Sequence, residues 1–352
     1  MGINIMGGIA LCLGVLVVMG ALYLLFVSIV PGFPASSRPL KPQKRSGHTP
    51  GENPLPVRED RSFQVEGTRV SAWLYLPHDP EGRFPCIIMG HGAGGTKDMM
   101  LENYAVRFQK AGLAVLSFDY RHFGASGGRP RNLIWIPHQL ADWAGAIAYA
   151  RGLKRIDPEK IALWGTSFGG GHVMVTASKD TRITCAAAQC PALDGRASGE
   201  AFSKREGIGY TLRMMVHGQR DMVRSWLRLS PHKIPLVGRK GDIALMPDDA
   251  ALQLFESVAP DDFANEICAR IILRWGRYKP VKYAKKVGCP VLLQICEKDI
   301  FTPLSAARKA EHDLGSYGEV KYYPIGHFDI YTGVSFETAV SDQLAFFKKH
   351  LL

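Results

Sequence analysis

The sequence predicts an α/β protein: a mostly parallel sheet flanked by helices and interrupted by a helical insertion. Three observations carry this. Apolar, β-branched runs of strand length alternate with amphipathic helical patterns. Strands joined through helices must run parallel, because the crossover returns the chain to the same end of the sheet. The rhythm breaks near Arg196 and resumes after Val287. A chain of 352 residues is long enough for one large domain with such an insertion.

The elements follow in order. Ile5 to Val30 holds no charged residue and is dominated by Leu, Val, Ile, Met and Gly. About 20 apolar residues cross the hydrocarbon of a bilayer, so residues 1–32 are expected to form a transmembrane anchor. No Lys or Arg precedes the run, which argues against a cleaved signal, although an exported chain with a cleaved leader is the alternative. Arg38, Lys41, Lys44 and Arg45 follow it, and the positive-inside bias then predicts a single pass with the folded domain in the cytoplasm. Residues 33–59, rich in Pro, Gly, Ser and basic side chains, read as a flexible linker attracted to anionic lipid.

The first part of the core is expected over 60–195. Strands are expected at 61–66, 70–77 and 86–92, then helix 100–111, strand 113–119, helix 138–152, strand 161–166, helix 169–178 and strand 183–190. The insertion, 196–287, is irregular and helix-prone, and is read as a cap over the strand ends, where such sheets bind ligands. The second part, 288–352, restores the alternation: strand 290–296, helix 304–314, strand 319–324 and helix 335–351. Phe336, Val340, Leu344 and Phe347 line one face of the last helix.

Composition excludes several function classes. Hydrophobic residues make up 46% and charged residues 21%, an ordinary globular balance. The net charge is +11, but the basic residues are spread along the chain and no nucleic-acid motif accompanies them, so no nucleic-acid partner is expected. Seven cysteines show no CxxC or Cys/His ligand spacing, so no metal site is implied. Cys86, Cys185 and Cys296 lie in strand-like runs and suit buried free thiols in a reducing compartment.

Chemistry is written in "IALWGTSFGGGH", residues 161–172. An apolar strand stops at Gly165-Thr166-Ser167-Phe168-Gly169 and a helix begins, which places a serine on the point of a tight turn. A serine hydroxyl needs a base, and the base needs an orienting carboxylate. Asp299 ends one strand candidate and His327 follows the next, so the order is Ser, Asp, His, with each at a strand end. Glu297 is the rival acid, but it lies inside the strand. His91, His172 and His312 are the rival bases, and only His327 ends a strand. Glycine-rich "MGHGAGGTKD" after the third strand supplies backbone N–H groups. The amides of Ala93 and Phe168 are expected to hold the oxyanion.

On these motifs the chain resembles the α/β-hydrolase-fold serine hydrolases over about residues 60–352. "FDYRHFGASGG", residues 118–128, is similar to the Asp-x-Arg-x-x-Gly-x-Ser loop of dienelactone-hydrolase-like and S15-peptidase-like members. The resemblance implies an eight-stranded, mostly parallel sheet whose second strand is antiparallel. It also implies a triad of Ser167, Asp299 and His327 acting on a small-molecule acyl substrate without a cofactor. Cleavage of a carboxylic ester through an acyl-serine is the leading expectation. A thioesterase, acyl transferase or peptidase using the same triad is the alternative, and a catalytically silent binding protein is the reading outside enzymology. Asp119 and Arg121 are expected to brace their loop. Tyr120, His122, Met214 and Trp226 are candidates for substrate contact. Neither the natural substrate nor the oligomeric state is written in the residues.

Overall fold

The computed structural model describes residues 5–30, 40, 58–79 and 82–352, those at 5–7, 10, 28 and 29 by their backbone alone. Among these, the strands β1 (Arg58–Val65), β2 (Thr68–Tyr75), β3 (Phe84–Gly90), β4 (Ala114–Phe118), β5 (Ile156–Thr166), β6 (Ile183–Gln189), β7 (Val291–Cys296) and β8 (Gly318–Tyr323) form an eight-stranded sheet. The order is β1-β2-β4-β3-β5-β6-β7-β8. Only β2 runs against its neighbours β1 and β4, and the other pairs are parallel. The β1–β2 turn is two residues, Glu66 and Gly67, both at positive φ (47° and 74°), the geometry that matches the twist of a tight hairpin.

Helices cover both faces because the central strands are apolar on both. β3, β4 and β7 are buried along their whole length. On one face α3 (Ile136–Arg151), α4 (Phe168–Ala177) and α9 (Leu304–Leu314) close over Leu116, Ile88, Leu163 and Leu293. On the other, α2 (Leu101–Lys110) and α10 (Gly333–Leu351) pack Tyr104, Phe108, Phe336 and Phe347 against Ile87, Val115 and Trp164. Phe108 and Phe347 meet edge to face at 5.3 Å, which ties the two helices together. Two buried ion pairs stiffen this frame. Lys97 Nζ donates to Asp119 Oδ2 (2.6 Å) and Arg121 Nε to Asp142 Oδ1 (2.5 Å), so the loop after β4 is braced as its sequence suggested.

Between β6 and β7 stand α5 (Gly195–Glu206), α6 (Ile208–Trp226), α7 (Asp249–Val258) and α8 (Ile272–Trp275). Lys233–Ile234 pairs with Ile267–Cys268, and Val237–Gly238 with Met246–Pro247. Asp194 caps α5 by accepting from Arg196 N and Ala197 N, and Asp248 caps α7 by accepting from Ala251 N. A buried ion pair holds the insertion together: Arg270 Nε donates to Asp221 Oδ2 (2.6 Å), and His232 N to Asp221 Oδ1 (2.8 Å).

The expectation for the amino terminus is corrected. A helix does form, α1 (Ile5–Ile29), but among the described residues no helix is long and apolar enough to cross a membrane. The carboxyl end of α1 is also engaged by protein. Arg224 Nη1 on α6 donates to the carbonyls of Val27 (2.6 Å) and Val30 (2.9 Å), capping orphan acceptors of the helix end. The single-pass topology is therefore overturned, and the cytoplasmic orientation that rested on it goes with it. The basic linker lies almost wholly outside the described residues.

Candidate active site

The turn after β5 is built by close backbone approach. A Cβ on Gly165 would stand 2.4 Å from Gly169 O, and one on Gly169 would stand 2.5 Å from His91 O. Glycine at both positions lets the start of α4 lie against the end of β3. Ser167 sits between them at φ 54° and ψ −117°, a strained conformation for a residue with a side chain. Hydrogen bonds hold it there. Ser167 N donates to Gln189 O (2.8 Å), and Ser167 O accepts from Ala192 N (2.9 Å).

The strand ends bring the other two groups to the same rim. His327 Nε2 lies 3.1 Å from Ser167 Oγ, and His327 Nδ1 lies 2.5 Å from Asp299 Oδ2. The three residues predicted from their order thus form one line of hydrogen bonds. Asp299 is fixed in turn: Oδ1 accepts from Phe301 N (2.7 Å) and Thr302 N (2.9 Å), and Oδ2 from Thr302 Oγ1 (2.5 Å). Burial raises the Asp299 pKa, but His327 and Thr302 outweigh it and the net shift is downward. Burial disfavours the His327 imidazolium, yet the charge of Asp299 overrides it and carries the pKa up to about 9. Asp299 therefore stabilises the charged form that a proton-accepting imidazole becomes.

The rival groups are accounted for. Glu297 is exposed to solvent. His172 is buried, with Nδ1 at 2.6 Å from Tyr278 OH and Nε2 at 2.9 Å from Gln139 Oε1, and burial pushes its pKa down to about 3. His312 is exposed beside Asp313. His91 stays in the loop after β3, its Nδ1 2.8 Å from Gly92 O.

That loop lies directly over the serine: a Cβ on Gly92 would meet Ser167 Cβ at 3.2 Å. Among the described residues, neither the Ala93 nor the Phe168 amide has a hydrogen-bond acceptor. Free N–H donors beside a nucleophile can stabilise charge developing on a carbonyl oxygen, each by about 3 kcal/mol. The Phe168 ring points away and stacks on Trp275 at 4.8 Å.

A cleft of about 60 Å³, open to solvent, surrounds Ser167 and His327. Apolar groups dominate its wall: Met99, Met100, Leu254, Phe255, Val258 and Phe328. None of Tyr120, His122, Met214 and Trp226 lines it. Tyr120 is fully buried and its OH accepts from Trp143 Nε1 (2.9 Å). His122 turns inward, with Nδ1 3.0 Å from Pro130 O and Nε2 3.1 Å from His138 Nδ1. Met214 is buried inside the cap, because the apolar stripe of α6 faces the turn at 269–271, and Trp226 is 73% exposed. The cap helix that reaches the cleft is α7. Its signal was present in the sequence: an Asp248 cap followed by Leu254, Phe255 and Val258 at helical spacing. Sequence reasoning also missed Tyr331. Its OH shares hydrogen bonds with Thr166 Oγ1 and Cys190 Sγ (3.6 Å), joining the histidine loop to the strand that carries the serine.

Comparison with known proteins agrees with this architecture. A family model described as X-Pro dipeptidyl-peptidase (S15 family) matches residues 66–302. The Quorum-quenching protein AidA of Acinetobacter baumannii is 40% identical over 82% of this chain and 94% of its own length. Polyketide transferase af380 of Aspergillus fumigatus is 28% identical over 84% of this chain and 99% of its own. The solved structure of the alpha/beta hydrolase GrgF from Penicillium sp. sh18 superposes with a TM-score of 0.70 at 24% identity, covering 84% of this chain and 99% of that one.

Proposed function

The chain belongs to the X-Pro dipeptidyl-peptidase (S15) family and is an α/β-hydrolase-fold enzyme, and from that premise we propose that it cleaves carboxylic esters of apolar acyl groups through an acyl-serine intermediate. The observation that supports this most is the Ser167–His327–Asp299 line, 3.1 and 2.5 Å, beside two amides that have no acceptor among the described residues. Ser167 Oγ attacks the ester carbonyl carbon while His327 Nε2 takes its proton. The carbonyl oxygen becomes an oxyanion held by the Ala93 and Phe168 N–H groups. The tetrahedral centre collapses, the C–O bond to the alcohol breaks, and His327 returns the proton to the leaving oxygen. Water then repeats the sequence on the acyl-serine, with His327 again as base, releasing the acid and restoring Ser167.

The wall of the cleft supports ester over peptide. A dipeptidyl-peptidase must hold the free amino group of its substrate, which calls for a carboxylate near the serine. Among the described residues that line the cleft there is no Asp or Glu. A second reading keeps the acyl-serine but hands the acyl group to another acceptor or takes it from a thioester, and the polyketide transferase among the relatives favours it.

The full chain is expected to react with a fluorophosphonate probe and to turn over p-nitrophenyl esters. Ser167→Ala is expected to abolish labelling and lower turnover by about 10⁶-fold while the fold is retained. Undiminished labelling of the alanine variant overturns the assignment. A panel of p-nitrophenyl esters, acyl-CoA thioesters and Pro-containing aminoacyl anilides separates the bond classes.

A further inference from the structure

A second cavity, of about 220 Å³, lies where the cap meets the start of α3, and it shares no lining residue with the catalytic cleft. Ile134, Trp135 and Ile271 form an apolar floor, Tyr278 forms one side, and Arg274 and Arg277 form the rim. The rim carries charge without a counter-charge. Arg270, the third arginine of this turn, is neutralised by Asp221. Among the described residues Arg274 and Arg277 pair with no carboxylate.

Arg274 is the more telling group. Its guanidinium lies over the Trp135 ring, 4.1 Å from the centroid. Its Nε is buried without a hydrogen-bond partner, and Nη2 reaches only Met222 Sδ at 3.9 Å. A planar fork of N–H donors, fixed by stacking and met only by a thioether among the described residues, is arranged to receive a planar anion. Partial burial, reinforced by the neighbouring Arg277 and Arg270 charges, shifts its pKa downward, so an anion there would relieve the crowding.

We propose that this cavity is a binding site for a compact apolar carboxylate, its ring or short chain on the Trp135–Ile271 floor and its carboxylate on Arg274 and Arg277. Phosphate fits the charge but not the floor, and an uncharged aromatic fits the floor but leaves the guanidinium unpaired. A carboxylate on an apolar body satisfies both. At about 220 Å³ the cavity has room for a body the size of a benzene ring or a short chain.

Benzoate is the probe, titrated into the full chain by calorimetry beside benzamide, its neutral isostere. Benzoate is expected to bind and benzamide to bind at least tenfold more weakly. Arg274→Gln is expected to weaken benzoate at least tenfold, Arg277→Gln about threefold, and Phe255→Ala in the catalytic cleft not at all. Equal affinity for acid and amide overturns the proposal, as does absence of binding to the wild type, or loss of binding in Phe255→Ala. Circular dichroism checks each fold. Should Arg274→Gln fail to fold, Arg274→Lys, which keeps the charge but not the fork, and the exposed Arg277→Gln carry the test. Wild-type affinity in both overturns it.

Discussion

The rim of the sheet and the cap above it treat polar groups in opposite ways. At the rim the charged groups are paired inside the molecule: Asp299 accepts from two amides and a hydroxyl, and Lys97 and Arg121 each have a carboxylate. In the cap, Asp221–Arg270 is satisfied, but the turn beside it leaves Arg274 facing a cavity, and α7 turns Leu254 and Phe255 toward the catalytic cleft. A saturated network fixes atoms to within a narrow geometry, which proton transfer needs. An apolar or unsaturated wall is completed only by a ligand. Rim residues should therefore govern kcat, and cap residues KM.

The largest expected effect lies at the rim. Asp299→Asn should lower kcat/KM by about 10⁴-fold, because the imidazolium loses its counter-charge and the tautomer its anchor. It should also move the pH profile. In the proposed reaction the base is neutral His327, so activity should rise as pH passes the His327 pKa, which the Asp299 charge holds up to about 9. Removing that charge lowers the pKa, and the rising limb should shift toward acid, to histidine's ordinary value of about 6.5 or below. A limb that stays in place would sever Asp299 from His327.

A smaller effect tests the cap. Phe255→Ala removes an aromatic ring from the cleft wall, a loss of about 2 kcal/mol of apolar contact. KM for an octanoyl ester should rise about 30-fold with kcat unchanged, while an acetyl ester, too short to reach the ring, should be indifferent. A fall in kcat for both esters would erase the division between rim and cap. The smallest effect sharpens it from the other side. Tyr331→Phe keeps the ring in the cleft but removes the hydroxyl that binds Thr166 to the histidine loop. One hydrogen bond of about 1 kcal/mol predicts a fivefold loss in kcat with KM unmoved.

These effects differ in how plainly the residues announced them. The strand, turn and helix around Ser167 were legible, because an apolar run ending in Gly-x-Ser-x-Gly encodes its own geometry through local backbone strain. Asp299 and His327 were legible from their place at strand ends. Tyr120 and His122 were candidates for the cleft because they follow a strand end too. Their side chains turned inward, to Trp143 and His138, partners distant in sequence. In the cap the candidates from α6 gave way to α7, since which amphipathic helix covers a cleft depends on what each apolar face meets. The stretch at Ile5–Val30 misled because an apolar helical pattern does not say what the helix end will touch, and here it touches Arg224.

By itself the sequence determined the class of fold, the strand order's parallel character, and the three groups of the triad, all of which follow from periodicity and from short-range turn chemistry. Only tertiary structure decided which side chains face the cleft, that α7 roofs it, that Tyr331 binds the histidine loop to the serine's strand, and that two arginines share a cavity with no carboxylate partner among the described residues. The physical reason is range. Backbone preference is settled within a few residues, whereas a side chain's direction and the partner of a buried charge are settled by whichever distant segment packs against it.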